Sequence, residues 1–254
     1  MRGVALSTTT GSTRGRKWKP TKKASQSSKA SSGGIIREGI FGINDGLVAT
    51  VGLVSGESLS GQSHGAILIA ALSAVGAAIV SMSVGSYLAT SSQNDFMRHQ
   101  IRQQELDLDR HPGRERGEAG GLLEEIGVPK ASVRPVLENI VRSRPRWLKF
   151  MVREDLGIHE QHIEPPIKNA LTMGIAVTIG SIPAVVPYLL PIGPIMARNL
   201  SWGVSVLTAL SLGGLKGHFT RSSIAKNALA FAFLASASAA VGAGIGLWLA
   251  QLGA

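Results

Sequence analysis

Cysteine is absent from this 254-residue chain. That excludes a disulfide framework, a thiolate nucleophile, an iron–sulfur cluster and Cys-ligated zinc. Charge is scarce as well: Asp, Glu, Lys and Arg make up 17% of the residues, where an ordinary soluble domain carries roughly 25%. Residues 169–254 hold four Lys/Arg and no acid at all. A folded soluble domain would not leave 86 residues so bare, because its surface needs more polar cover. No nucleophile–base pair, Gly-rich phosphate loop or cofactor motif occurs, so the chain is not read as an enzyme and no prosthetic group is expected.

What is present is apolar sequence and segregated charge. Hydrophobic residues make up 44% and the mean hydropathy is +0.19, which argues against a wholly disordered chain. The formal net charge is +10. Residues 1–37 hold nine Lys/Arg and no acid, and residues 92–168 hold thirteen of each sign. The apolar segments fall between these blocks. The pattern predicts an all-α membrane protein with a polar insert.

A membrane helix needs about 20 mostly apolar residues. Five segments qualify: roughly 35–55, 66–89, 167–190, 200–215 and 228–252. The fourth is short, with Arg198 and Lys216 at its ends, where they can snorkel to the interface. The expected organisation is a disordered basic cytoplasmic tail (1–33), transmembrane helices one and two (34–91), a cytoplasmic helical insert (92–166) and transmembrane helices three to five (167–254). With the N-terminus inside, the inner segments carry 25 Lys/Arg and the outer ones only Arg198. Basic residues stay on the cytoplasmic side, so the N-terminus is expected in the cytosol and the C-terminus outside. The tail then faces anionic lipid, and nucleic acid is not needed to explain the charge.

The second helix has no breaker before Pro112, so it is expected to leave the membrane and run to Asp109. Three further helices are expected in the insert, over 115–126, 132–143 with Ser132 as N-cap, and 146–156 after Pro145. His159 and His162 read as part of the connector, and His64 and His218 as loop residues.

Asp45 lies about half-way along the first helix, where an acid costs roughly 2.5–3.5 kcal/mol on insertion scales and is a functional hypothesis by default. A cap on a helix broken at Asn44-Asp45-Gly46 is the competing reading. Glu38, seven residues earlier, shares its face near the cytoplasmic end. It is either a second step for a cation or an interfacial acid beside Arg37. Met82 sits mid-way along the second helix among small residues. A thioether with a carboxylate suits a borderline-soft divalent metal such as Fe²⁺ or Mn²⁺, although a lone Met is more often packing. In the insert, Glu115 and Glu118 share a helical face, Asp107 ends the long helix, and Met151 and Asp155 lie on the last helix. They read either as converging metal ligands or as solvated faces.

The ordered motifs resemble the vacuolar iron transporter family, which includes yeast calcium/iron-type transporters and nodulin-21-like proteins. They are Arg37-Glu38-Gly-Ile-Phe-Gly-Ile-Asn44-Asp45-Gly46-Leu47, Ser81-Met82-Ser83-Val84-Gly85-Ser86-Tyr87-Leu88-Ala89, Arg146 to Gly157, and Ile182-Pro183-Ala-Val-Val-Pro187-Tyr188-Leu189. The resemblance runs in order over about 34–252. It implies a five-helix homodimer that exports Fe²⁺ and often Mn²⁺ from the cytosol, in exchange for protons. It implies pathway roles for Asp45, Met82 and Glu38, and matches Tyr188 to the third-helix tyrosine. It places Glu115, Glu118, Met151, Asp155 and Asp107 at metal-domain positions. Three departures stand out: Gln104 where an acid is usual, Ala74 where a membrane acid is common, and Val152 where a second Met is common. The expected home is a bacterial plasma membrane. The alternative is a membrane-anchored metal sensor or buffer that transports nothing.

Overall fold

The structure is a computed structural model that describes residues 23–158 and 163–252, with side chains from Ile35 onward. His159 and His162 therefore lie outside the described residues. Among those described, every regular element is helical: α1 Lys23–Leu59, α2 His64–Arg110, α3 Pro112–Glu125, α4 Lys130–Val141, α5 Arg144–Glu154, α6 Pro166–Val185, a 3₁₀ turn Val186–Leu189, α7 Pro194–Phe219 and α8 Ile224–Gln251. Helix α1 starts at Lys23, within the stretch expected to be tail, and residues 1–22 are outside the described set.

Four helical segments are long and apolar enough to cross a membrane: 35–59, α2, 166–189 and α8. Helix α7 is not among them. Its 26 residues would reach about 39 Å at 1.5 Å per residue, but serines, Asn199 and end charges dilute its apolar content. It packs along α8 and α1.

Helix α1 occupies the centre, between α6 and α8. About half of the spanning parts of α1 and α6 is buried (44% and 50%), against 11% for α2 and α8. Glycines allow this arrangement. A Cβ on Gly46 would collide with the carbonyl of Val177, and one on Gly180 with that of Ile43. On the opposite side, Gly242 and Gly246 meet the carbonyls of Gly52 and Gly56. Small residues let membrane helices approach until backbones touch, and van der Waals packing then holds them. Between these contacts lie two apolar clusters. One gathers Val51, Val54, Ile67, Ala71, Ala184 and Tyr188, and the other Leu47, Ala209, Phe231 and Ala235.

Helix α2 is continuous for 47 residues, one capped rod from the α1–α2 turn to the insert. Ser63 caps it by accepting from the Ala66 N–H at 3.3 Å. Helices α3 to α5 pack on its lower half around Leu108, Ala119, Trp147 and Met151. Two expected helix starts move. Helix α4 begins after Pro129, so Ser132 lies in its first turn and caps nothing. Pro145 is inside the first turn of α5, where its missing N–H costs no hydrogen bond.

Candidate metal pathway

Helix α1 runs unbroken through Asn44-Asp45-Gly46. The broken-helix reading of Asp45 is therefore set aside. Asp45 is half-buried, and among the described residues it has no hydrogen bond or ion pair. Its neighbours one turn away on the same stripe, Phe41 and Ala49, are exposed. The carboxylate thus looks out along a face of α1 that the other described residues leave uncovered. The amide Oδ1 of the adjacent Asn44 is buried without a partner.

Glu38 is better held. Its side chain is 14% exposed, with Oε1 accepting from Arg37 at 3.3 Å and Oε2 accepting from the Ser86 hydroxyl at 3.3 Å. The structure therefore joins α1 to α2 at this level. Counting 1.5 Å per residue from that contact puts Asp45 about 10 Å and Met82 about 6 Å further into the membrane. In depth, half-buried Met82 lies between the two acids. Ser83 beside it is in contact range of Gly174 on α6.

A polar ladder continues below Met82 on one stripe of α2. Ser86 meets Glu38, Thr90 accepts from Asn169 Nδ2 at 3.2 Å, and Asn94 donates to the Glu164 carbonyl at 2.7 Å. Asn169, 2% exposed, also donates to Glu164 Oε2 at 2.6 Å. Sequence reading did not single out Asn94, Glu164 or Asn169. For Asn94 the available signal was its place on the four-residue stripe Met82, Ser86, Thr90 of α2; Glu164 and Asn169 lie off that helix and carried none.

Tyr188 is not near Asp45. It sits 1% exposed at the end of the bundle near the α1–α2 turn, where its hydroxyl bonds that of Ser58, thirteen residues beyond Asp45. His64 is no loop residue: it opens α2, and its Nε2 lies 2.6 Å from the Tyr188 carbonyl. His218 likewise belongs to the last turn of α7. Trp202 Nε1 donates to Ser55 at 2.6 Å, tying α7 to α1 near this end.

In the insert the acids gather around a cation that the chain itself supplies. Arg114 Nη2 is 3.0 Å from Glu115 Oε1 and 3.9 Å from Asp107 Oδ2, and its Nε is 3.6 Å from Glu118 Oε1. The second oxygen of Glu115 accepts from Gln104 Nε2 at 2.6 Å. The hydrogen bond to Glu115 raises Arg114 above the ordinary arginine range, with Glu118 and Asp107 adding to it. Met151 is fully buried among Leu108, Ala119 and Trp147, and Asp155 is exposed at the end of α5. No three His, Asp or Glu side chains among the described residues are placed to hold a metal ion.

The sequence matches one family model over most of its length. The VIT family model aligns with residues 36–247. This chain belongs to the VIT family. The vacuolar iron transporter 1 proteins of Oryza sativa subsp. japonica and Eucalyptus grandis are 29% and 30% identical to it. They align with 81% and 80% of this chain, and the alignments cover 81% and 82% of their own lengths. The vacuolar iron transporter of Centaurea cyanus is 30% identical, over 80% of this chain and 83% of its own. VIT family members are transporters rather than enzymes, and this one is an integral membrane protein.

Proposed function

We propose that this chain moves Fe²⁺, and Mn²⁺ with it, out of the cytosol in exchange for protons. The observation that carries the reading is Asp45: an unpaired, half-buried carboxylate in the middle of an unbroken membrane helix. An acid at that depth costs roughly 2.5–3.5 kcal/mol. A membrane anchor has no use for it; an ion path does. Metal enters past Glu38, meets the Met82 thioether and reaches Asp45. Carboxylate and thioether together favour a borderline-soft divalent ion over Mg²⁺ or Ca²⁺.

Exchange follows from competition at one carboxylate. Metal takes the ionised form and expels a proton, and a proton from the far side releases the metal. With Ala74 in place of an acid, Asp45 is the only deep carboxylate on this route among the described residues.

The working unit is a homodimer. The Phe41–Asp45–Ala49 face is left uncovered by the other described residues of one chain, and a second copy placed against it would shield the acid from lipid. Helix α7 supplies the fifth span beside α8. The basic residues put the N-terminus and insert in the cytosol and the C-terminus on the far side, whether cell exterior or organelle lumen.

The test is Fe²⁺ uptake into proteoliposomes with and without an opposing proton gradient, at fixed membrane potential. The wild type should respond to the gradient. Asp45→Asn, which keeps shape and removes charge, should abolish uptake while the folded protein persists. Wild-type flux in that variant would refute the pathway. Equal wild-type rates with and without the gradient would leave a uniporter.

A further inference from the structure

The junction where the insert returns to the helix bundle holds two buried amides and one acid. Asn169, 2% exposed on α6, donates from its amide nitrogen to Thr90 Oγ1 of α2 at 3.2 Å and to Glu164 Oε2 at 2.6 Å. A side-chain amide has two N–H donors, and both are committed here. Asn94, 5% exposed on α2, donates to the Glu164 carbonyl at 2.7 Å. Glu164 is thus held by its main chain to α2 and by its side chain to α6. Further along the same seam, a Cβ on Gly174 would lie 2.5 Å from Ser83 Oγ. One turn either side of Ser83 stand Ile79 and Tyr87, both larger than the serine that already fills this space. A full-turn slip of α2 along α6 is therefore blocked by bulk, and only smaller slides remain open.

We infer that Asn169 and Glu164 are a positioning pair that fixes the axial register of α2 against α6, and through it the level of Met82 between Glu38 and Asp45. The functional half of this inference rests on the transport reading; the register half does not. Membrane helices gain little from apolar burial against one another, because lipid is as apolar as their side chains. An apolar seam tolerates small slides, whereas a buried amide with directional partners selects one register. A slide of about 2 Å takes the Thr90 contact out of hydrogen-bond range and bends the Asn94 bond. Buried polar groups are then left unpaired, which opposes the slide. The same rod carries Ser86, whose hydroxyl meets Glu38 of α1 at 3.3 Å, and Met82 one turn earlier. Whatever sets α2 against α6 sets these levels as well. Neither Asn169 nor Glu164 touches the ion; the pair acts through Met82.

The chain has no cysteine, so an introduced pair reports without background. Ser83→Cys with Gly174→Cys is the register reporter: a Cβ at 174 would lie 3.8 Å from that of Ser83, the separation a disulfide prefers. Thr50→Cys with Ser181→Cys, across the α1–α6 hydrogen bond of 3.1 Å, is the control pair. The measurement is the rate of disulfide formation in the full-length protein in detergent under a mild oxidant. Asn169→Asp keeps the shape but sets two carboxylates against each other. It should slow the 83–174 cross-link about tenfold, the scale of one lost charge-assisted hydrogen bond, and leave the 50–181 cross-link unchanged. Combining Asn169→Asp with Glu164→Gln exchanges donor and acceptor, so the bond returns with its polarity reversed and the Thr90 hydroxyl turns to donate. That swap should restore the rate to within about twofold. An unchanged 83–174 rate in folded Asn169→Asp protein, or a swap that restores nothing, would overturn the inference. Equal slowing at both pairs marks general loosening and overturns it too. If Asn169→Asp does not fold, Thr90→Val removes the acceptor on α2 alone and should slow the 83–174 cross-link several-fold; no change there is equally fatal. Fe²⁺ uptake is measured without the reporters, and should fall about tenfold in Asn169→Asp and recover in the swap. Normal uptake beside a slowed cross-link would overturn the link to Met82. No uptake in the wild type would sink the transport reading and leave the register result standing.

Discussion

Gly180→Ala tests whether backbone contact between α1 and α6 holds Asp45 in place. The added methyl would meet the carbonyl oxygen of Ile43, two residues before Asp45. The obstacle is main chain, so no side-chain rotation relieves it. On the same seam Gly46 abuts the Val177 carbonyl, and a Cβ on Gly42 would come within 2.7 Å of the Ala176 Cβ. The helices can only part, by roughly an ångström, at a cost of about 1–3 kcal/mol for overpacking. Parting also stretches the buried Thr50–Ser181 hydrogen bond of 3.1 Å, worth about 0.5–1.5 kcal/mol. The sum is about 2–4 kcal/mol, or a fall of roughly 5–15 °C in melting temperature for a chain of this size. Metal uptake should fall with it by about tenfold or more, since a shift of about 1 Å at a working group is costly. The assays are a melt followed by circular dichroism in detergent and Fe²⁺ uptake in liposomes. Gly117→Ala on α3, where a Cβ meets nothing within 4 Å, is the control and should be neutral or slightly stabilising. A Gly180→Ala protein with unchanged melting and flux would refute the argument.

Other outcomes follow from the same geometry. Glu38→Gln retains a partner for the Ser86 hydroxyl but loses the charge, so the KM for Fe²⁺ uptake should rise several-fold with little change in melting temperature. Tyr188→Phe removes the bond to Ser58 and should cost about 1 kcal/mol, read as a lower melting temperature. Arg144 clamps α5 to α2 through Asp109 and Glu105. It is 43% exposed, so Arg144→Ala should leave the melting temperature nearly unchanged and show as faster amide exchange confined to the insert.

The elements that could be read from sequence are those fixed locally. Helix α2 was legible as one rod because nothing between Ser63 and Pro112 interrupts it. The depth of Asp45 and its stripe with Glu38 followed from helical spacing alone. The start of α4 was misplaced because Pro129, not Ser132, sets the entry angle. His64 was taken for a loop residue although Ser63 before it is a serviceable N-cap. The acids of the insert could not be resolved by counting. Their fate depends on Arg114 reaching across from its own helix to Asp107 on α2, a contact between segments that spacing does not encode. Met151 behaves as core for a related reason: its surroundings, Leu108, Ala119 and Trp147, come from three helices.

The unbroken α2 has a mechanical consequence. The same rod carries Met82 inside the membrane and the insert below it, with no Pro or loop at the boundary to absorb a bend. Its stretch outside the apolar span, from Gln93 to Arg110, is about 27 Å long at 1.5 Å per residue. A 10° tilt of α2 about the membrane boundary would sweep the Asp107 end sideways by about 5 Å, by simple lever arithmetic on that length. Helices α3 to α5, clamped by Arg144 and the shared core, would travel with it. Any motion that opens the path beside Met82 would thus be amplified outside the membrane, and in the proposed dimer two inserts would approach or separate with each turnover. Pairs of spin labels on opposite α3 helices would then report the transport cycle from outside the bilayer.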